Sequence, residues 1–390
     1  MTTQQRIFNQ YKHIYGQTPR LFRSPGRINL IGEHTDYNEG FVLPASIDKA
    51  VYFAIQPRND DRVELHAADL NEFYSFTLED LSKPAMSWPY YQMGVLDQLK
   101  KLGKKIRGFQ AVFGGDIPAG AGMSSSAALE CCLLYALNEI FSLGLDRLAI
   151  VKLAQKAENE YVGVNCGIMD QFASVFGKQG SVIRLDCRDL AYEYFPFELE
   201  GYTLILCDTT VKHSLAGTEY NTRRLECEKG VAILKQYYPE INSLRDVTPD
   251  QVEAHQNELG DAVYRRCRYM TREIRRVQDA CDLLLQNKAE EFGQKMYETH
   301  DGLSQDYEVS CKELDFLVDF TRPLEEVAGA RMMGGGFGGC TINLVAINAV
   351  DAFEEKIRNA YLEKFEKELP CYRVNIQDGT GEISVNLPNR

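Results

Sequence analysis

Gly114-Gly-Asp-Ile-Pro-Ala-Gly-Ala-Gly-Met-Ser-Ser-Ser-Ala-Ala-Leu-Glu130 is the stretch whose reading decides the architecture. It follows an alternating run, Phe109-Gln-Ala-Val-Phe113, and opens an apolar period through Leu129, Leu133, Leu134, Leu137, Ile140 and Phe141. A strand therefore runs out into a loop, and the loop feeds a helix over about Ala127 to Leu143, with Gly144 placed to end it. Gly120 and Gly122 let backbone approach a bound group closely. The first helical turn offers unpaired N–H groups and the positive end of a dipole. Ser124, Ser125 and Ser126 add hydroxyl donors. Such a loop suits a phosphate, and it equally suits a serine-capped helix behind a flexible turn. No Gly-Lys-Ser/Thr follows, so it is not a Walker A loop, and the Val-Ala-Ile-Lys and His-Arg-Asp elements of protein kinases are missing.

Outward from this loop, strand and helix patterns interleave. Val51-Tyr-Phe-Ala-Ile-Gln56 and Asp61-Arg-Val-Glu-Leu-His66 read as strands, and about Leu148 to Val162 as a second helix. Beyond Gly180 come two further strands, Ser181–Asp186 and Tyr202–Cys207, then long helices over about Asn221–Tyr238 and Asp261–His300. A strand at Thr341–Ile347, a helix at about Val350–Glu368 and a strand near Tyr372–Ile376 complete the chain. With no internal repeat, the class is α+β. A length of 390 residues calls for two packed units, divided softly near residues 176–181 into 1–178 and 179–390.

The composition, 44% hydrophobic and 25% charged, excludes disorder, and a net charge of −13 excludes a general nucleic-acid or membrane binder. Any phosphate must be held by a local device: backbone N–H groups, a helix start, an arginine or a metal ion. Eleven cysteines, scattered and without a Cys-x-x-Cys pair, point to reduced thiols. No apolar run approaches the roughly 20 residues of a membrane span, and Met1–Arg6 lacks a signal-peptide core. A soluble, cytoplasmic protein is expected.

Three other stretches carry chemistry. In Ser24-Pro-Gly-Arg-Ile-Asn-Leu-Ile-Gly-Glu-His-Thr-Asp-Tyr-Asn-Glu-Gly40, the groups Glu33, His34, Asp36, Tyr37 and Asn38 crowd into six positions. That density suits a hydroxyl-rich ligand, although a metal site or a polar turn would use the same residues. Arg27, between Pro-Gly and an apolar strand, is placed to meet an anion. In Gly163-Val-Asn-Cys-Gly-Ile-Met-Asp-Gln-Phe172, Asp170 is either a helix cap or a carboxylate held for its charge, while Glu158 reads as part of a solvated helix face. Arg331-Met-Met-Gly-Gly-Gly-Phe-Gly-Gly-Cys340 contains G-x-G-x-x-G but runs into a strand, so it is a close-approach backbone surface and not a dinucleotide loop.

Together these stretches resemble the galactokinases of the GHMP small-molecule kinase family. The resemblance rests on Pro25–Tyr37, Gly120-Ala-Gly-Met-Ser-Ser-Ser-Ala-Ala128 and Met333–Cys340. It is extended by Cys166-Gly-Ile-Met-Asp-Gln171, Ser181–Arg188, Glu219-Tyr-Asn-Thr-Arg-Arg224 and Asp306-Tyr-Glu-Val-Ser310. Met123 stands where leucine is usual, a volume-conserving change. The resemblance implies a two-domain GHMP kinase fold: an N-terminal module like ribosomal protein S5 domain 2, a C-terminal α/β sandwich, and the active site between them. It implies transfer of the ATP γ-phosphoryl group to the C1 hydroxyl of α-D-galactose, with Mg²⁺. Asp170 and Arg27 would be catalytic. Glu33, His34, Thr35, Asp36, Gly167, Asp170 and Tyr220 would bind the sugar. Gly120, Ala121, Gly122, Met123, Ser124, Ser125 and Ser126 would hold ATP, and Ser126 with Glu158 the metal. The partners implied are galactose and ATP, with no nucleic acid or membrane, and a monomer is expected. A non-catalytic sugar sensor and an N-acetylgalactosamine kinase are the competing readings. The intact Arg27, Asp170, Glu158 and serine loop speak against the sensor, and Cys166-Gly167-Ile168 speaks against the larger sugar.

Overall fold

The computed structural model describes residues 1–118, 120–197, 199–211 and 216–384. The chain begins with α1 (Thr3–Tyr15), β1 (Arg20–Asn29), β2 (Phe41–Val42), β3 (Pro44–Pro57), β4 (Arg62–Ala67) and β5 (Glu72–Thr77). Next come α2 (Tyr90–Lys101), β6 (Phe109–Gly115), α3 (Ser125–Phe141), α4 (Arg147–Lys156) and α5 (Met169–Phe176). The second half holds β7 (Ser181–Asp186), β8 (Tyr192–Pro196), β9 (Tyr202–Asp208), α6 (Ala216–Leu234), α7 (Pro249–Ala254), α8 (Gln256–Leu259) and α9 (Asp261–Leu285). It ends with α10 (Ala289–Asp301), α11 (Lys312–Thr321), β10 (Val327–Met332), β11 (Cys340–Ala346), α12 (Val350–Phe365), β12 (Cys371–Val374) and β13 (Gly381–Glu382).

Period-two alternation decides how each sheet is covered. The six-stranded sheet has the order β13-β1-β3-β6-β4-β5. In β3, Ala50, Tyr52 and Ala54 face Ile7 and Tyr11 of α1, while Val51, Phe53 and Ile55 join a core with Leu96, Leu133 and Phe172 of α2, α3 and α5. The four-stranded antiparallel sheet has the order β10-β11-β9-β12. Leu204 and Leu206 of β9 pack toward α6, α9 and α10, and Ile205 and Cys207 toward α12 through Phe353, Ile357 and Tyr361. A third sheet, β2-β7-β8, ties the early chain to β7, and β13 returns from the C-terminal end to pair with β1.

Three sequence expectations are adjusted. The helix after the serine loop ends at Phe141 with Ser142 in the left-handed region (φ 51°), so Gly144 (φ 70°) lies beyond the cap. The Asn138 side chain takes over the stop by bonding both Leu145 N–H (2.8 Å) and Leu145 carbonyl (3.2 Å). The helix expected over Asp261–His300 is two helices, because the chain turns at 286–288. The helix expected to reach Val162 loses α-geometry at Lys156 and continues as a π-helical turn, Ala157–Val162. A second π turn, Gly302–Asp306, follows α10.

Candidate functional site

A break in the β1–β3 register sets the centre of the site. Pairing runs Pro25↔Ala50 and then skips to Arg27↔Ser46, so three residues of β3 bulge opposite Gly26 and the ladder resumes at Arg27. Arg27 N–H donates to the Met123 carbonyl (3.1 Å), so β1 lies against the glycine–serine loop. The Arg27 side chain, 4% exposed, grips Asp170 with Nε and Nη2 at 2.8 and 2.9 Å and donates through Nη1 to the Gly122 carbonyl. Burial works against the guanidinium charge, but Asp170 and then Glu33 outweigh it and raise its pKa. A bidentate pair of this kind fixes direction as well as charge. Asp170 sits in the first turn of α5 and caps nothing.

Ser124 resolves the ambiguity of the serine loop. It is the N-cap residue of α3, yet it adopts φ 56° and its side chain makes no capping bond. Its hydroxyl donates instead to Asp170 Oδ2 at 2.5 Å. A non-glycine residue in this region is strained, and the strain leaves the start of α3 without a serine cap.

One cleft, about 260 Å³, gathers Arg27, Glu33, His34, Asp36, Glu158, Gly167, Asp170, Tyr220 and Gly334–Gly336. Glu33 is 2% exposed and is held by Arg331 Nη2 (3.0 Å) and by Gly334 N–H (2.8 Å). Arg331, fully buried in β10, also donates through Nε to the Leu30 carbonyl (2.6 Å). The loop carrying Glu33 rests on α9: Glu273 accepts the Gly32 N–H (2.8 Å), and Tyr269 donates to the Glu33 carbonyl (3.1 Å). Asp36 packs so tightly against Gly167 that a Cβ there would overlap its carboxylate. Burial, followed by repulsion from Asp170, pushes the Asp36 carboxyl up to about 7. Burial lowers His34 to about 3, with the Gly335 backbone opposing and Arg223 adding to the drop, so the imidazole is neutral. Thr35 is placed differently from its sequence reading. It is fully buried, and its hydroxyl is used on the Gly32 and Phe41 carbonyls, so it holds the loop and does not line the cleft.

Glu158 continues the buried face of α4, in helical register with Ile150, Val151 and Ala154, just inside the π turn. It is 6% exposed and packs against Ser126, Cys166 and Gln171. Gln171 Nε2 donates to Glu158 Oε2 at 2.8 Å. Burial first, then Asp170, pushes the Glu158 carboxyl up to about 7, while the Ser126 hydroxyl, the Cys166 thiol and the Gln171 amide pull the other way. Among the described residues no group of three or more His, Cys, Asp or Glu could hold a metal ion by itself. The Ser126 hydroxyl and the Glu158 carboxylate nevertheless make an all-oxygen pair, which fits a hard cation that takes its remaining ligands from phosphate and water.

Of the glycine-rich loop, Gly334–Gly336 line the cleft, and Gly334 approaches Gly122 of the serine loop. Gly336 has φ 86°, and a Cβ there would overlap the Val309 carbonyl, so no other residue fits. Met123 and Ala121 face the core and offer only backbone to a ligand. Beside the serines lies an apolar slot of about 270 Å³ walled by Val51, Leu70, Trp88, Tyr91, Phe113, Ser125, Ser126 and Leu129. Sequence reasoning missed this slot, whose one signal was the lone tryptophan. It also missed Glu130, one helical turn after Ser126, which is fully buried and whose pKa is raised first by burial and then by Glu158.

A strand–glycine loop–helix unit, an arginine–carboxylate pair and a polar cleft between two sheets define a small-molecule kinase. Three family models match: GHMP kinases N terminal domain (residues 91–178), Galactokinase galactose-binding signature (9–57) and GHMP kinases C terminal (278–363). A galactokinase of Roseiflexus sp. is 39% identical over 97% of this chain and 96% of its own length. One of Thermotoga neapolitana is 40% identical over 93% and 99%. The chain belongs to the galactokinases of the GHMP kinase family. The structure of Lactococcus lactis galactokinase complexed with galactose superposes with a TM-score of 0.93 at 35% identity, covering 98% of this chain and 100% of that one. Methanococcus jannaschii mevalonate kinase, at 19% identity, TM-score 0.63 and coverage of 93% and 99%, shares the fold.

Proposed function

We propose that the cleft transfers the γ-phosphoryl group of ATP to the C1 hydroxyl of α-D-galactose, giving α-D-galactose 1-phosphate and ADP, with Asp170 and Arg27 as the catalytic pair. The observation that carries this reading is the convergence on one carboxylate. Asp170 is gripped by Arg27, receives the Ser124 hydroxyl, and opens into the cavity shared with Glu33, His34 and Asp36. Phosphoryl transfer needs in-line positioning and neutralised oxygens more than covalent chemistry. Asp170 accepts the hydrogen bond of the C1 hydroxyl, and Arg27, already aimed, meets the charge that develops on the transferring group. Gly120–Ser126 offer the phosphates backbone N–H groups and hydroxyls. The apolar slot beside Ser125 and Ser126 takes the purine. Ser126 and Glu158 would hold Mg²⁺, which supplies charge neutralisation on the phosphate oxygens when bound. On the sugar side, Glu33 and His34 face the 6-hydroxyl end, Asp36 accepts from the 3- and 4-hydroxyls, and Gly167 and Tyr220 complete the wall. No helix among the described residues is long and apolar enough to cross a membrane, and all eleven cysteines are free thiols, which agrees with a cytosolic enzyme.

The test is a coupled ATP-consumption assay across galactose, N-acetylgalactosamine, glucose and mevalonate. Galactose and glucose differ only at the 4-hydroxyl, and a buried carboxylate left without its hydroxyl rejects the wrong epimer by about 10⁴ in kcat/KM. Asp36→Ala should lose galactose activity and narrow that ratio. Comparable wild-type values for the two sugars, or an unchanged ratio in Asp36→Ala, would overturn the reading.

A further inference from the structure

Asp306-Tyr-Glu-Val-Ser310 contributes nothing to the lining of the cleft, yet it is tied down from several directions. Arg223 donates through Nε to the Tyr307 carbonyl (2.7 Å) and through Nη2 to the Glu308 carbonyl (2.9 Å). Arg268 Nε reaches the Asp306 carboxylate (3.1 Å), and the Val309 carbonyl accepts Phe337 N–H (2.7 Å). What this clamp fixes is one hydroxyl. Tyr307 OH lies 2.8 Å from Tyr37 OH, and Tyr37 OH lies 2.7 Å from His34 Nδ1. On its far side Tyr307 OH is 3.1 Å from Cys227 Sγ. The row ends at a ring whose other nitrogen, Nε2, makes no hydrogen bond of good geometry, with the Gly335 backbone close to the ring, on a residue that is 3% exposed and lines the cleft.

The direction of the row follows from donor and acceptor strengths. Burial holds both phenols far above their ordinary pKa, so both keep their protons, and the imidazole is neutral with a single N–H. The imidazole nitrogen is the strongest acceptor in the row and the thiol sulfur the weakest, while a phenol is a better donor than a thiol. The Asn38 amide also reaches Cys227. The favourable order is therefore Cys227 S–H to Tyr307, Tyr307 O–H to Tyr37, and Tyr37 O–H to His34 Nδ1. The partner of one ring nitrogen decides the state of the other.

We propose that Tyr37 and Tyr307 are positioning residues that lock His34 in the Nε2–H tautomer, so that it meets the sugar only as a donor. The part that concerns the ligand rests on the placement of His34 at the 6-hydroxyl end of galactose. A sugar lacking that hydroxyl leaves the N–H unpaired, so the row acts as a specificity device.

The tautomer is read by ¹⁵N NMR of the histidine-labelled, ligand-free protein, with the His34 signals identified by their absence in His34→Gln. Wild type should show protonated Nε2 and bare Nδ1, and Tyr37→Phe should move both shifts toward a mixture. Kinetically, Tyr37→Phe should raise the galactose KM about tenfold, the size of one lost hydrogen bond, with kcat within about twofold. Its KM for 6-deoxygalactose should stay within about twofold of wild type. Tyr307→Phe should give the same pattern more weakly, and it serves if Tyr37→Phe fails to fold. A wild-type ring protonated on Nδ1, or equal damage with both sugars, would overturn the proposal. Absence of galactose turnover in wild type would refute the functional reading, while the nitrogen shifts would still decide the tautomer.

Discussion

On the proposed assignment, the phosphate side of the cleft is built from residues before 180, namely Arg27, the 120–126 loop, Glu158, Asp170 and Gln171, whereas the sugar side joins Glu33, His34 and Asp36 to Tyr220, Gly334–Gly336 and the supporting Tyr307 and Arg331. The difference has a physical origin. A phosphate can be held by one loop and one helix start, since backbone N–H groups and a short stretch of side chains suffice. A sugar offers hydroxyls in many directions, and every buried group that meets one must itself be held. The loop carrying Glu33 and His34 is accordingly fastened from α9, β10 and the glycine-rich loop. Charge does not divide this way: each side has one arginine–carboxylate pair, Arg27 with Asp170 and Arg331 with Glu33, and one buried carboxylate pushed up to about 7, Glu158 and Asp36.

If the two sides are separable, Glu158→Ala should raise the Mg²⁺ concentration needed for half-maximal activity at least about tenfold and leave the galactose KM within twofold. A galactose KM that moved while the Mg²⁺ requirement did not would join the two sides and break the comparison. A smaller effect tests the buried carboxylate on the sugar side. Because the folded Asp36 carboxyl titrates near 7, well above its unfolded value, the folded chain holds a proton that the unfolded chain releases near pH 4. Stability therefore falls as pH rises from about 4 to about 7, and the whole penalty is present above that. The ligand-free protein should melt lower at pH 8 than at pH 6, and Asp36→Asn should shrink that difference by roughly 1–2 °C. An unchanged difference would mean that Asp36 carries no buried charge.

Much of the phosphate side was legible because it is local: a strand, two glycines, three serines and a helix period stand within one stretch of chain. Arg27 and Asp170 were legible as misplaced charges in apolar surroundings. Glu158 was not, because a glutamate on a helix reads as solvated by its residue type, although its spacing from Ile150, Val151 and Ala154 puts it on the buried face. Ser124 read equally as a cap, since the Asp170 carboxylate that takes its hydroxyl arrives from 46 residues away. Arg331 and Tyr307 act on Glu33 and Tyr37 from 298 and 270 residues away, a distance no spacing rule spans. The apolar slot draws on Val51, Trp88 and Phe113, each of which is an ordinary core residue when read alone.

Asp170 stands where the two sides meet, so its loss should stop the chemistry without emptying either side. The direct test is kcat for galactose phosphorylation by folded Asp170→Asn, with galactose and ATP affinities measured by calorimetry on the same protein. The expected result is a kcat lower by about 10²–10⁴, with both ligands bound within roughly threefold of wild type. Near-normal turnover by the folded variant would contradict the account.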